Sequence, residues 1–246
     1  MRMKAVIRYD GTHFSGYQIQ PNVRTVQEEL EKVLQKIHKG QFVRVHASGR
    51  TDQGVHAMGQ VIHFDTDLSI PTEKWEQALN TMLPADIEVL QVSNVYDHFH
   101  ARYDVKEKEY RYIIVQGKRR DLFRRHYVYC TPHQLDVKAM QEACHILEGT
   151  HDFSSFCGSN NNQQDDKVRT ITEAWIDRDE DEFIFRVRGT GFLYNMVRII
   201  VGTLLEIGRG ERLPEELETI LQVKNRIYAG DTAPAQGLYL WEVFYE

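Results

Sequence analysis

The feature that most restricts what this chain can fold into is an ordered switching of its apolar period, from two to 3.6 and back, that happens twice. A period of two sets alternate side chains on one face of a strand, and a period of 3.6 draws one stripe along a helix. Each segment therefore has one face to bury. In the first half, residues 4–9 read as a strand. Residues 25–38 have helical spacing through Val26, Leu30, Val33, Leu34 and Ile37, and Thr25 and Glu28 stand in capping-box spacing at the start. Residues 42–46 and 60–64 read as strands with a Gly-containing loop between them. Residues 71–82 read as a helix opened by Pro71, and residues 87–95 close the half as a strand. That order is βαββαβ, the split ferredoxin-like arrangement.

The second half repeats it. Residues 106–115 read as a strand, and residues 135–147 as a helix ending before Gly149. Residues 168–177 and 183–188 form a hairpin across the acidic turn at 178–182. A largely apolar helix is expected over 192–207, stopping near Gly208 and Gly210, then a short helix over 214–223 and a last strand over 238–245. The repetition lies in element order, without a matching residue-level repeat. The expected fold class is α+β, with a half over residues 1–104 and a half over 105–246. The two ferredoxin-like βαββαβ halves are expected to join into a mainly antiparallel sheet with flanking helices and a central cleft, the default place for a ligand. The polar, low-complexity stretch 158–166 reads as a flexible loop.

Composition narrows the class further. Hydrophobic residues make up 41% and charged residues 27%, as in a soluble globular protein. No apolar run approaches the roughly 18 residues that span a bilayer. The first residues carry charge inside a short apolar run, so no secretory signal is read there and a cytoplasmic location is expected. Three cysteines, Cys130, Cys144 and Cys157, stand without a CxxC pair, which argues against a disulfide framework and a cysteine zinc site. The net charge of −6 does not by itself suggest a polyanionic partner. Phosphate contacts need only a local basic surface, and Lys118, Arg119, Arg120, Arg124 and Arg125, with Phe123 and His126 interleaved, offer one. The same stretch also reads as a solvated loop.

The densest cluster of chemistry-bearing residues is Gly49-Arg50-Thr51-Asp52-Gln53-Gly54-Val55-His56-Ala57, between two expected strands. Thr51-Asp52-Gln53-Gly54 alone has the residue order of an ordinary turn. A mere turn, however, has no need of Arg50 or His56. A carboxylate beside a guanidinium is favoured in its ionised form, and an ionised Asp can serve as nucleophile or base without a metal.

This loop resembles the signature of the TruA family of tRNA pseudouridine synthases, GRTDxGVHA. The resemblance continues in order through Tyr9-Asp10-Gly11-Thr12-His13-Phe14-Ser15-Gly16-Tyr17-Gln18 and Thr25-Val26-Gln27. It runs on through Phe99-His100-Ala101-Arg102, Tyr110-Arg111-Tyr112, Gly191-Phe192-Leu193-Tyr194-Asn195-Met196-Val197-Arg198 with Gly202, Ala233-Pro234 and Gly237-Leu238-Tyr239-Leu240. Gln53 stands where the family often has a small residue, and Tyr103 where Phe is frequent.

The resemblance implies the pseudouridine synthase fold and the isomerisation of uridine to pseudouridine at positions 38, 39 and 40 of the tRNA anticodon arm. It also implies a homodimer whose two subunits grip one tRNA. Asp52 falls on the family's catalytic residue. Arg198 matches the Arg that pairs with that carboxylate, and its place inside an apolar run calls for a buried partner. Tyr110 matches the aromatic residue stacked on the target base, Arg50 is expected to hold the flipped nucleotide or a neighbouring phosphate, and Leu238 to line the uracil pocket. Arg119, Arg120, Arg124 and Arg125 are the expected RNA contacts. No redox change, group donor or hydrolytic water enters this reaction, and the chain carries no Walker loop, GxGxxG or clustered metal ligands, so no cofactor and no metal are expected.

Two rival readings come from the residues alone. A metal-dependent hydrolase would draw on His98, His100, Asp52 and His56 among 11 histidines, yet the spacing supplies no further ligands for His98 and His100. A non-catalytic RNA-binding module shares the βαββαβ order, but no aromatic-glycine pattern of that kind sits on the expected strand.

Overall fold

The computed structural model describes residues 1–119, 121–158 and 166–246. Arg120 and most of the polar stretch 158–166 lie outside the described residues. The first elements are β1 (Arg2–Tyr9), α1 (Val26–Ile37), β2 (His46–Ala47), β3 (His56–Asp65), α2 (Thr72–Met82) and β4 (Ile87–Val95). Then come β5 (Glu107–Gln116), β6 (Tyr129–Thr131), α3 (Val137–Leu147), β7 (Gly149–Asp152), β8 (Val168–Asp179) and β9 (Glu182–Gly189). The chain ends with α4 (Met196–Gly208), α5 (Glu216–Val223) and β10 (Leu238–Phe244). No helix among the described residues is long and apolar enough to cross a membrane.

The chain divides into two compact α+β units, one of Met1–Lys106 with Tyr239–Glu246 and one of Glu107–Leu238. The element order had placed residues 239–246 in the second half. They count with the first because Tyr239 and Leu240 pair in parallel with His56 and Ala57 at the start of β3.

In the first unit β1 runs antiparallel to both β3 and β4. Its alternation buries Met3, Ala5, Ile7 and Tyr9, and Met3 and Ala5 stand opposite Phe64 and Ile62. Helix α1 starts where the capping spacing placed it: Thr25 is extended and its hydroxyl accepts the Glu28 N–H. The Glu28 carboxylate does not reach back to complete the box. It pairs with Lys32 one turn on, at 2.8 Å. Val26, Leu30, Val33 and Leu34 of α1 are buried, each contributing about 1.5–3 kcal/mol of transfer free energy.

Three local expectations are corrected. Residues 42–46 do not form a strand, and only His46–Ala47 pair with β3. Val43 and Val45 are buried as the pattern requires, but the Val45 N–H donates to Glu31 Oε1, which takes it out of any ladder. Strand β3 begins four residues before the expected 60, so His56 and Ala57 are strand residues. Helix α4 begins at Met196, not at 192, because Asn195 adopts a left-handed backbone (φ 59°) that ends the preceding turn.

In the second unit β5 pairs antiparallel with β9, and β9 with β8. Two short strands escaped the sequence reading: β6 beside β5, in parallel, and β7 beside β8. One ion ladder crosses this sheet. Glu109 accepts from Arg111 Nε (2.6 Å) and from Arg188 Nη2 (3.0 Å), its partner in register on β9, and Arg188 also faces Glu173 on β8 at 3.6 Å. Burial pushes the Glu109 carboxyl up. The hydrogen bonds and charges of Arg111 and Arg188 more than reverse this and hold it below the ordinary 4.5. A carboxylate depressed on folding contributes stability above its unfolded pKa, and that contribution is lost as pH falls through the folded value. Glu109→Gln is therefore expected to destabilise near neutral pH, with the gap to wild type closing below pH 4.5 in thermal melts across pH. A gap that stays constant with pH would show that the carboxylate charge is not what the network uses.

Candidate active site

The Asp52 loop joins β2 to β3 and is held by backbone on both flanks. The Asp52 carbonyl accepts the Val55 N–H at 3.1 Å, closing a turn whose third residue, Gly54, has φ 77°. On one side the Tyr17 N–H donates to Thr51 O at 3.0 Å, and on the other the Gly54 N–H donates to Phe14 O at 3.4 Å. The segment after β1 is thus a cradle for the loop. Gly11 is required there: a Cβ would overlap the Val55 carbonyl oxygen, and backbone cannot swing aside.

Buried polar side chains complete the clamp. The Tyr9 hydroxyl meets Thr51 Oγ1 at 2.8 Å, and burial pushes that phenol up to about 12, so it stays neutral. Ser48 Oγ donates to Gln60 Oε1 (2.6 Å), whose Nε2 donates to Gly49 O (2.9 Å). His56 Nδ1 accepts the Gly11 N–H at 3.0 Å while its ring stacks on Tyr239. His56, which no simple turn would need, ties the loop's exit to its cradle. Thr51 is buried beneath, Asp52 is half-buried and Arg50 exposed. The loop is fixed where the polypeptide enters and leaves, with the carboxylate between, a preorganised way to present a charged group. Gln60 was missed in the sequence. The signal was there, as a lone amide directly before the apolar pair Val61-Ile62 of β3.

The other expected site residues lie in the second unit. Tyr110 is buried on β5, with its ring edge-on to Phe192 at 5.0 Å between centroids. Arg198, in the first turn of α4, donates from Nε to Ala233 O (2.7 Å) and from Nη1 to Asn195 Oδ1 (3.1 Å). The Ala233 N–H returns a bond to Arg198 O at 3.0 Å, so guanidinium and loop hold each other. Leu238 is buried at the start of β10. The structure thus brings Arg50 and Asp52 onto one loop, and gathers Arg198, Asn195 and Ala233 around one guanidinium.

Within the basic stretch, residues 122–127 form a turn in which Asp121 Oδ1 accepts the Phe123 and Arg124 N–H groups, both at 3.0 Å. Lys118, Arg119, Phe123, Arg124 and Arg125 are all exposed, and Arg124 also pairs with Glu182. Cys144 and Cys157 are buried, and burial pushes the Cys144 thiol up, away from thiolate chemistry. His98 stacks on Tyr96, while His100 meets His46 and His63, which the sequence reading had not grouped with it.

A family model described as tRNA pseudouridine synthase matches residues 5–104 and 143–246. The tRNA pseudouridine synthase A of Anoxybacillus flavithermus is 61% identical over 245 residues, 100% of this chain and 99% of that protein. A tRNA pseudouridine synthase A 1 of Bacillus cereus is 57% identical, covering 99% of this chain and 98% of that protein. The Geobacillus kaustophilus tRNA pseudouridine synthase A is also 57% identical, over 100% of this chain and 95% of that protein. Matched from end to end at such identity, with the clamped Asp52 loop in place, the chain belongs to the tRNA pseudouridine synthase family.

Proposed function

We propose that this protein isomerises uridine to pseudouridine at positions 38, 39 and 40 of the tRNA anticodon stem-loop, with Asp52 as the catalytic carboxylate and no cofactor. The observation that carries the reading is the Asp52 loop itself, a GRTDQGVHA segment whose backbone is bonded on both sides and whose carboxylate is left half-buried between. In the reaction the bond from C1′ to N1 of uracil breaks, the ring turns, and C1′ joins C5, with a proton lost at C5 and one gained at N1. Atoms and electrons balance within the nucleotide.

A uridine in a stacked stem must first leave the helix, which costs a few kcal/mol offset by stacking, base hydrogen bonds and phosphate contacts. Tyr110 is assigned to stack on the extruded base and Leu238 to bound its pocket. Arg50, exposed beside Asp52, is assigned to the flipped nucleotide or its phosphate. Arg198 is assigned to pair with the Asp52 carboxylate, and its anchoring to Ala233 and Asn195 supports a fixed guanidinium. The protein works in the cytoplasm as a homodimer, one tRNA held by both subunits. Purified protein with no additions should convert these uridines, read by chemical mapping of the modified tRNA. Conversion that needs an added metal or donor would overturn the proposal.

The basic stretch supplies phosphate contacts. Binding of tRNA is expected to weaken as salt rises, and replacing Arg119, Arg120, Arg124 and Arg125 together should flatten the log–log slope by up to roughly 0.7–0.9 for each phosphate no longer neutralised. Arg124 should contribute least, because Glu182 already neutralises it. An unchanged slope would mean that this turn faces away from the RNA.

A further inference from the structure

Beyond the Asp52 loop, the first unit holds a second group of chemistry-bearing side chains: His46 on β2, His63 on β3 and His100 in the segment after β4. One ring nitrogen from each lies within 4.8 Å of the others. His46 is exposed, His100 half-buried and His63 only 1% exposed. The rings are packed in place: His46 stacks on His63 with centroids 4.8 Å apart, His100 meets His63 edge-on at 4.8 Å, and the exposed Tyr103 covers His100 at 4.2 Å.

Their backbone partners decide what such a group can bind. His63 Nδ1 accepts the Ala101 N–H at 3.0 Å, and His100 Nδ1 accepts the Arg102 N–H at 3.1 Å. An imidazole that accepts at Nδ1 carries its proton on Nε2 when neutral. Burial first, then the neighbouring His46 and Arg2 charges, push His63 down to about 4, and His100 is lowered in the same way, so both are neutral at physiological pH. Metal-binding histidines do the reverse, donating from the second nitrogen while the first coordinates. The three ring nitrogens lie within 4.8 Å of one another, close enough for a single oxyanion oxygen to reach all three. Charged groups around the cluster include Lys4, opposite His63 in register, Arg2, which is bonded to Asp65 and Phe99 O, the exposed Arg102, and Asp104, whose carboxylate accepts the His100 backbone N–H.

We propose that His46, His63 and His100 form an N–H donor site for a phosphate oxygen, occupied by a backbone phosphate of the RNA substrate. The assignment rests on the reading of tRNA as substrate. It places a contact point on the first unit, on different residues from the Asp52 loop and the basic turn. With His63 and His100 neutral, it is a positioning contact more than a source of electrostatic affinity.

The test compares wild type with His46→Ala and His46→Gln, at an exposed position, with a melting curve of each variant to show that the packing of His63 is kept. Wild type should bind and convert tRNA. His46→Ala should weaken tRNA binding by roughly two- to tenfold, the worth of about one hydrogen bond, with conversion at saturating tRNA unchanged, and His46→Gln, which keeps an N–H donor, should recover part of the loss. Inorganic phosphate should shift the ring proton resonances of His63 and His100 in wild type, and roughly two- to tenfold more phosphate should be needed to do so in His46→Ala. Equal tRNA affinity in wild type and His46→Ala would overturn the site alone, whereas a wild type that neither binds nor converts tRNA would overturn the functional reading beneath it. Stoichiometric zinc retained on dialysis and lost in His46→Ala would also overturn it, in favour of a metal centre.

Discussion

Asp52→Asn is expected to abolish conversion of uridine, by on the order of 10⁴-fold or more, while tRNA binding and thermal stability stay close to wild type. Asn has nearly the size and shape of Asp but carries no charge, so it can neither attack carbon nor take a proton at neutral pH. The loop should keep its shape. Its clamp runs through the carbonyls of Thr51 and Asp52, the Gly54 and Val55 N–H groups, the Tyr9–Thr51 hydroxyl pair and His56, all of which survive the change. The check is chemical mapping of tRNA treated with each protein, beside a binding isotherm and a melting curve. Full conversion by the variant would remove Asp52 from its role. A variant that melts far below wild type would show instead that the carboxylate also holds the loop.

Gly202→Ala is expected to produce the largest loss of stability, although Ala favours a helix interior by about 1 kcal/mol over Gly. Gly202 lies in α4, where a Cβ would overlap the Asp231 carbonyl oxygen and fall 2.8 Å from its carbon. Backbone cannot rotate away as a flexible side chain can, so helix and loop must part. Overpacking of this kind costs roughly 1–3 kcal/mol, and more where backbone is the obstacle, which outweighs the propensity gain. The displaced loop carries Ala233, whose carbonyl holds the Arg198 guanidinium, so activity should fall along with stability. A melt and an activity assay on the same preparation check both. A melting temperature at or above wild type would show that the loop gives way without cost.

Much of the candidate site was legible because its residues are contiguous. Gly54, Asp52 and His56 sit within five positions of one another, and turn chemistry brings such neighbours together without help from the rest of the chain. The reason for His56 was not legible. It lies in the Gly11 N–H, 45 residues earlier, which the ring accepts. Arg198 shows the same division: an arginine in an apolar run announces that it needs partners, but Ala233 O and Asn195 Oδ1 become its partners only once the chain has folded and Asn195 has turned left-handed.

The amino-acid order by itself determined the kind of each main element and the face it buries, because periodicity is a property of near neighbours. It could not determine which edges pair. Residues 42–46 alternate as a strand should, yet Glu31 captures the Val45 N–H and only His46–Ala47 join the sheet. The final strand closes the second half in order of elements, yet pairs in parallel with the start of β3. The meeting of His46, His63 and His100 is likewise a product of tertiary structure, since it depends on three segments far apart in the chain reaching one place. Hydrogen-bond partners and side-chain clusters are chosen by competition among distant groups, and that competition is resolved only in the folded molecule.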